Sequence, residues 1–151
     1  METRLQPHVR AAELGDAKVL AELFDQLGFP CSSQELIERM SAVGDIALVA
    51  LIEERVVGVI TINIMPVLHR PHPVGRISAL VVDQTLRGAG IGKSLVLAAE
   101  ALLVSRGCEL IEVTSNFRLE QAHHFYKSVG YEATSYRFKK DVGAASRHST
   151  V

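Results

Sequence analysis

Hydrophobic and polar positions near the start of the chain follow first a strand spacing and then two helical spacings. Val9 to Ala12 is a short β-like run, and Asp16 to Leu27 carries its apolar residues on one helical face. A glycine and a proline follow this run, as they do at helix C-termini. Ser32, with Glu35 three residues later, is a capping box that begins a second helix. This part of the chain therefore predicts one strand followed by two helices.

The pattern in the middle of the chain predicts a series of strands. Ile46 to Ile52 and Val56 to Met65 are rich in β-branched residues, and the charged connection Glu53-Glu54-Arg55 is short enough for a hairpin. The segment from Leu68 to Gly75 is rich in proline and glycine and predicts a loop. Ile77 to Val82 is β-branched again and predicts a third strand of the same sheet.

The second half of the chain alternates helices and strands. The strongest helical stripe begins at Ile91 and stops at Gly107. Leu110 to Thr114 predicts a buried strand, Glu120 to Val129 a helix, and Tyr136 to Lys140 a last strand. The complete order, β-α-α-β-β-β-α-β-α-β, predicts a single-domain α/β (α+β) fold. Its sheet is expected to be mixed, mostly antiparallel and flanked by helices, unlike a doubly wound sheet.

Composition and charge exclude several classes of protein. The 151 residues are 48% hydrophobic and 22% charged, which excludes disorder along the whole chain. Sixteen Lys and Arg balance 17 Asp and Glu, for a net charge of -1, so we expect no nucleic-acid partner. Apolar runs such as Ile46 to Ile52 fall far short of the ~20 residues of a membrane-spanning helix. Two cysteines without metal-ligand spacing, and no secretory pattern near Met1, fit a cytoplasmic protein with free thiols.

The segment between the third strand and the strongest helix carries the clearest chemical signal. Its glycines at 88, 90 and 92 allow backbone N–H groups to converge on an anion, and the helix N-terminus adds partial positive charge. Arg87 and Lys93 flank these glycines. A tight turn without a ligand needs fewer glycines, so we interpret the segment as a phosphate-binding loop.

Spacing separates this loop from two other phosphate-binding motifs. A P-loop needs glycine at the position of Arg87. A dinucleotide fingerprint needs its third glycine at Lys93 or Leu95, depending on where it starts. The pattern that fits is R-x-x-G-x-G, formed by Arg87, Gly90 and Gly92 after an apolar strand.

This arrangement resembles the acyl-coenzyme A loop of the GNAT superfamily of N-acetyltransferases. The second half of the chain agrees with a strand ending in Asn, a helix with Ala and Phe-Tyr, and a final Gly-Tyr: Thr114-Ser115-Asn116, Ala122, Phe125-Tyr126 and Gly130-Tyr131. The resemblance covers roughly residues 10 to 140 and is specific from 77 to 131. The same run, with the histidine-rich loop before Gly75, is similar to aminoalkylphosphonate N-acetyltransferases.

The resemblance implies an acetyl-CoA-dependent N-acetyltransferase domain over residues 1–140, followed by a flexible tail over 141–151. Acetyl-CoA would be the co-substrate, and a primary amine of a small molecule would attack it directly in a ternary complex. Aminoalkylphosphonate-like and aminoglycoside-like amines both fit. A protein or peptide N-acetyltransferase is one alternative, and a non-catalytic acyl-CoA-binding sensor is another. Homodimers are common in the family, although the sequence itself indicates no interface.

The resemblance also assigns the residues that hold acetyl-CoA. Backbone groups of the strand before the loop would pair with the pantetheine arm, and the glycine loop would bind the pyrophosphate. Asn116 matches the family's cofactor-side Asn, although an Asx turn explains it equally well. The complete set of expected cofactor-binding residues is Leu80, Val81, Val82, Arg87, Gly88, Ala89, Gly90, Ile91, Gly92, Lys93, Ser94 and Asn116.

Proton transfer is assigned less completely. Tyr126 matches the family's general acid, which protonates the departing thiolate, although a packed aromatic beside Phe125 is the simpler alternative. Many relatives carry a glutamate base on the strand before the loop, but Ser78 and its neighbour Ala79 occupy those places here. A water chain ending on Ser78 is one substitute. A histidine of the proline-rich loop, His69 or His72, is another; those two histidines lack a third ligand, so we expect no metal.

The resemblance places the acceptor between the first helices and the loop from Met65 to Gly75. The helices offer carboxylates that suit a polycationic amine: Glu22, Asp25, Glu35 and Glu38. The loop region offers Arg70 and Arg76, which suit a phosphonate or carboxylate. Both sets are equally compatible with an ordinary solvated surface.

Overall fold

The structure is a computed structural model. It describes residues 6–42, 44–115 and 119–143. The chain divides into two compact units, Met1–Val113 and Thr114–Val151. The expected domain limit at residue 140 stays a prediction, and most of the expected tail lies outside the described residues.

The described residues form five strands and four α-helices. In chain order these are β1 (His8–Ala11), α1 (Ala17–Leu27), α2 (Ser33–Ala42), β2 (Ile46–Ile52), β3 (Arg55–Met65), β4 (Val74–Val82), α3 (Ile91–Ser105), β5 (Leu110–Val113) and α4 (Glu120–Ser128). All except α4 belong to the first unit. Among these helices, none is both long and apolar enough to cross a membrane.

The strands form one sheet in the order β1-β2-β3-β4-β5. The first four strands pair antiparallel, and β5 joins β4 in parallel. β4 and β5 are parallel because α3 connects them: the helix returns the chain to the end of the sheet at which β4 begins. The predicted mixed, mostly antiparallel α/β fold is confirmed.

Helices cover both faces of this sheet. The face of Val49, Val59 and Val81 packs against Leu20 and Leu23 of α1, with α2 beside them. We call it the α1 face. The opposite face lies under α3, where a Cβ at Gly75 would meet the fully buried Leu103 side chain at 2.8 Å. Any side chain at this position would displace Leu103, so glycine favours the close approach of β4 and α3.

The expected glycine stops are present at the helix ends. Gly28, Gly107 and Gly130 all have φ between 88° and 99° after α1, α3 and α4. After α4 the N–H of Tyr131 donates to the carbonyl of Tyr126 at 2.9 Å, which is the long hydrogen bond of a Schellman motif. The capping box also forms, because the Glu35 N–H donates to Ser32 Oγ at 3.1 Å.

Among the differences from the sequence prediction, three concern strands. The predicted last strand from Tyr136 to Lys140 is wrong, because these residues form no ladder, and the Tyr136 and Phe138 side chains are 91% and 92% exposed. The alternating aromatic and charged side chains therefore do not pack against a buried face. β4 begins at Val74 rather than at 77, since its first residues pair with both neighbouring strands. β5 is partly exposed rather than buried.

Candidate active site

The ladder between β4 and β5 ends in the middle of β4. The two strands pair from Val74 with Leu110 to Ile77 with Val113, whereas β4 continues to Val82. Within the described residues, no strand pairs with this second half of β4 on that side. Alternate backbone N–H and C=O groups on that edge are therefore not part of a ladder. A ligand with amide groups can pair there as an added strand.

A bulge marks the point at which the two strands separate. In the β3–β4 register, Thr61 faces Ala79 and Ile62 faces Ile77, so Ser78 is the extra residue. A bulge leaves its extra residue out of the ladder and re-aims its side chain. The Ser78 side chain is accordingly exposed at this position.

The turn after β4 is fixed by Asp83. Its carboxyl group accepts hydrogen bonds from the Thr85 N–H at 3.0 Å and from the Thr85 hydroxyl at 2.8 Å. Arg55 contributes a contact at 3.5 Å. These bonds, led by the one from the Thr85 backbone, lower the pKa of Asp83 below its usual value. The turn thus enters the glycine loop in one defined conformation.

A second link holds the turn to α1. The N–H of Gln84 donates to the Gln26 side-chain oxygen at 3.0 Å. The N–H of Asp83 also donates to the Val57 carbonyl at 2.8 Å. The turn is therefore attached to both the helix layer and the sheet.

The glycine loop follows directly and needs glycine for its backbone. Gly88 and Gly90 have φ of 86° and 84°, a region that side chains disfavour. Gly90 is the N-cap of α3 and supplies no side-chain cap, so the first N–H groups of that helix remain available to a ligand. The Ser94 hydroxyl instead donates to the Gly90 carbonyl at 3.2 Å.

The structure brings most of the expected cofactor residues together in one unit. Leu80, Val81 and Val82 lie on β4 beyond the bulge. Residues 87 to 90 are the second half of the connection from β4 to α3, and residues 91 to 94 form the first turn of the helix. The side chains of Arg87 and Lys93, which flank the glycines in sequence, are both exposed.

The remaining expected residues lie in the second unit. Asn116 is outside the described residues. Tyr126 is half-buried on α4, with ring centroids 5.3 Å from Phe125 and 5.9 Å from Tyr131, both edge to face. Burial raises the pKa of the Tyr126 phenol above its ordinary value. The phenol is therefore held in its protonated form, as a general acid must be.

The polar side chains around the predicted Ser78 were missed by sequence reasoning. Ser78 Oγ lies 2.7 Å from the Thr61 hydroxyl and 3.5 Å from Asp45 Oδ2. Asn63 Nδ2 donates to Asp45 Oδ1 at 3.4 Å. Asn63 Oδ1 is buried and has no partner among the described residues. The alternation of Thr61 and Asn63 with isoleucines in β3 was the available signal for a polar face here.

A cavity of about 220 Å³ lies at the starting end of β4. Its lining combines apolar and charged side chains: Met65, Val67, His69, Arg70, Val74, Leu110 and Glu112. His72, in the same loop, has its Nε2 3.2 Å from a carboxylate oxygen of Glu109. In the ranges that the structure describes, no three His, Cys, Asp or Glu side chains are grouped to hold a metal ion.

Comparison with known families agrees with this arrangement. Residues 17–131, which include the whole region from α1 to the Gly-Tyr after α4, match the Acetyltransferase (GNAT) family. The chain belongs to this family. Members of the family use acetyl-CoA as the acetyl donor.

Individual relatives carry more specific names. The chain is 37% identical over 91 residues to an aminoalkylphosphonate N-acetyltransferase of Salmonella typhimurium, covering 60% of this chain and 59% of that one. It is 33% identical over 89 residues to a glucosamine 6-phosphate N-acetyltransferase of Trypanosoma brucei brucei, covering 58% of each. The matches thus span about three-fifths of the length of these curated relatives. A crystal structure of a Trypanosoma brucei acetyltransferase matches with a TM-score of 0.78 and 29% identity, covering 91% of this chain and all of that one.

Proposed function

We propose that this chain is an acetyl-CoA-dependent N-acetyltransferase whose acceptor is a small primary amine carrying a phosphonate or phosphate group. The observation that carries the proposal is the continuity between the unpaired edge of β4 and the glycine loop at the start of α3. A ligand with amide groups at one end and phosphates at the other fits both features at once. Acetyl-CoA has this chemistry.

The acceptor class is supported from the opposite end of β4. The cavity there is lined by Arg70 and His69, which suit an anionic group, and by Glu112, which suits an ammonium group. The two curated relatives are named for an aminoalkylphosphonate and for glucosamine 6-phosphate. Both of those compounds combine an amine with a phosphorus oxyanion. A cationic aminoglycoside would place its charge beside Arg70.

In the proposed reaction the neutral amine attacks the acetyl carbonyl, and the bond from that carbon to sulfur breaks. Tyr126 would donate a proton to the departing thiolate, because a phenol, with a pKa of ~10 that burial raises further, is protonated at neutral pH. Ser78, at the bulge where β4 leaves β5, would contact the reacting amine. The domain would extend over residues 1–140.

Release of free CoA thiol, measured with acetyl-CoA and a panel of amines, tests the proposal. The panel needs a matched pair: an aminoalkylphosphonate and the same aminoalkane without the phosphonate. We expect kcat/KM to be at least about tenfold higher for the phosphonate, since one charge-assisted contact contributes about 1.4 kcal/mol or more. Arg70→Gln should remove most of that advantage, while Arg137→Gln, at an exposed position of the second unit, should leave it unchanged.

The alternative functions predict different results in the same assay. A preference for aminoglycosides or polyamines would contradict the anionic acceptor. A preference for peptides with a free amine would favour a protein N-acetyltransferase. CoA binding without thiol release from any amine would favour a non-catalytic sensor.

A further inference from the structure

We propose that Asp45 is the proton acceptor for the incoming ammonium group and that Ser78 passes the proton to it. This inference rests on the proposed function, since it assigns the step that makes the amine nucleophilic. The strand before the glycine loop holds no carboxylate, but the fold supplies one from 33 residues earlier in the chain.

The position of Ser78 places this pair at the reacting centre. Ser78 is the bulged residue next to Ile77, the last residue of β4 that pairs with β5. The unpaired edge on one side of this point leads to the glycine loop, and the paired half on the other side leads to the cavity. A donor lying along the edge and an acceptor in the cavity therefore meet at Ser78.

The register of the sheet explains how Asp45 reaches this point. β2 begins with Ile46 opposite Ile62, so the preceding residue falls beside Asn63. Asn63 donates to Asp45 Oδ1 at 3.4 Å, while Oδ2 is turned toward Ser78 Oγ at 3.5 Å. One carboxylate oxygen is thus held by an amide, and the other faces a hydroxyl. Asp45 itself is exposed, so a protonated carboxyl can return its proton to solvent.

The hydrogen bonds of Ser78 are compatible with a relay. The Thr61 hydroxyl can donate to Ser78 Oγ at 2.7 Å, which leaves the Ser78 proton to be directed at the Thr61 carbonyl, 3.1 Å away, or at Asp45. An ammonium group that donates to Ser78 Oγ can transfer one proton as Ser78 gives its own to Asp45. The amine keeps its electron pair for attack on the acetyl carbon. The second proton lost from nitrogen balances the proton gained by the CoA thiolate.

The cavity and this relay lie on the same face of the sheet. Side chains paired across neighbouring strands share a face, and Asn63 pairs with Arg76, which pairs with Glu112. Val74 and Met65, which line the cavity, are the next paired positions on that face. The charged side chains at paired positions along this face are therefore Arg76 and Glu112, and His69 and Arg70 line the cavity from the loop. Glu112 stands opposite Arg76 in the β4–β5 pairing. Among the described residues, Asp45 is hydrogen-bonded to the neutral side chains of Asn63 and Ser78.

The test compares Asp45→Asn with the wild-type chain on two acceptors of different basicity. One is an aminoalkylphosphonate, whose amine is protonated at neutral pH. The other is a phosphonate-bearing aniline or alkoxyamine of matched length, which is already neutral at that pH. We expect kcat for the first acceptor to fall about 100-fold, as for loss of a general base. The loss for the second should be at most about fivefold, and KM for acetyl-CoA should not change.

Asp45→Glu should restore part of kcat on the basic amine, because it keeps a carboxylate at this position. Glu53→Gln is the matched control, since it neutralises an exposed carboxylate at the other end of β2 and should leave both rates unchanged. Equal losses of kcat on both acceptors would indicate a structural role and would overturn the proposal, as would an unchanged rate in Asp45→Asn. An inactive wild-type chain overturns the proposed function as well, whereas an active wild type with an unaffected Asp45→Asn overturns the base assignment alone.

Discussion

The carboxyl group of Asp83 accepts two hydrogen bonds from one residue, Thr85, through the backbone N–H at 3.0 Å and the hydroxyl at 2.8 Å. This pair connects the free edge of β4 to the glycine loop, the two elements that the proposed cofactor must contact together. A loop that binds a ligand only in one conformation gains affinity when that conformation is already populated in the free protein. The Asp83–Thr85 pair is therefore expected to contribute to acetyl-CoA affinity without touching acetyl-CoA.

Asp83→Ala should raise KM for acetyl-CoA about fivefold while leaving kcat at saturation nearly unchanged. A fivefold change corresponds to the loss of a side-chain cap, typically ~1 kcal/mol. Thr85→Val, which keeps the backbone bond and removes the hydroxyl bond, should produce a smaller increase. Steady-state kinetics at fixed amine concentration measure both. Equal KM values in all three proteins would show that the loop does not depend on Asp83.

Tyr126→Phe should lower kcat with little change in KM for acetyl-CoA. Burial raises the pKa of this phenol, so deprotonation of Tyr126 should not reduce the wild-type rate below about pH 10. Removing the hydroxyl should cost about 100-fold in kcat if it protonates the thiolate. Tyr136→Phe is the matched control, because Tyr136 is 91% exposed and lies in the same unit. A Tyr126→Phe protein with full kcat would assign Tyr126 to aromatic packing with Phe125 and Tyr131.

Features set by local chemistry were predictable from the sequence. The hairpin between β2 and β3, the capping box at Ser32 and the glycine stops at 28, 107 and 130 depend on a few consecutive residues. The R-x-x-G-x-G loop was predictable for the same reason, because the positive φ at residues 88 and 90 favours glycine at those positions.

Features set by pairing between distant residues were not predictable. Asp45 approaches Ser78 because of the β2–β3 register and a one-residue bulge in β4. The sequence near Asp45 contains no pattern that predicts either feature. The strand predicted at Tyr136 to Lys140 failed for a related reason. An alternating pattern of hydrophobic and polar residues predicts which side chains share a face of a strand. It does not show whether a partner strand is present to form a ladder.

Asp16→Asn should destabilise the fold by about 1–3 kcal/mol near neutral pH, because Asp16 is buried and accepts two hydrogen bonds from Arg10, at 2.8 and 3.0 Å. The Arg10 hydrogen bonds, and then the Glu13 N–H, lower the pKa of Asp16 below its usual value. The stabilisation is therefore complete above the unfolded pKa of ~3.9 and disappears as pH falls through the lower folded pKa. Urea unfolding between pH 7 and pH 2 measures this. The difference between wild type and Asp16→Asn should narrow toward pH 2, and a constant difference would contradict the ionic origin.

Glu54→Gly should stabilise the chain, although it removes a charged side chain from the surface. Glu53 and Glu54 connect β2 to β3 and have φ of 50° and 66°. The residues that flank them, Ile52 and Arg55, pair with each other across the hairpin. This is the two-residue hairpin turn in which both residues have positive φ, and glycine at its second position is preferred. Relief of the left-handed conformation should exceed the extra entropy of glycine in the unfolded chain by about 0.5–1 kcal/mol. Glu54→Ala is the matched control, because it removes the same side chain and keeps the strained φ. Thermal unfolding should rank glycine above both glutamate and alanine, and equal effects of glycine and alanine would trace the gain to lost charge instead of backbone strain.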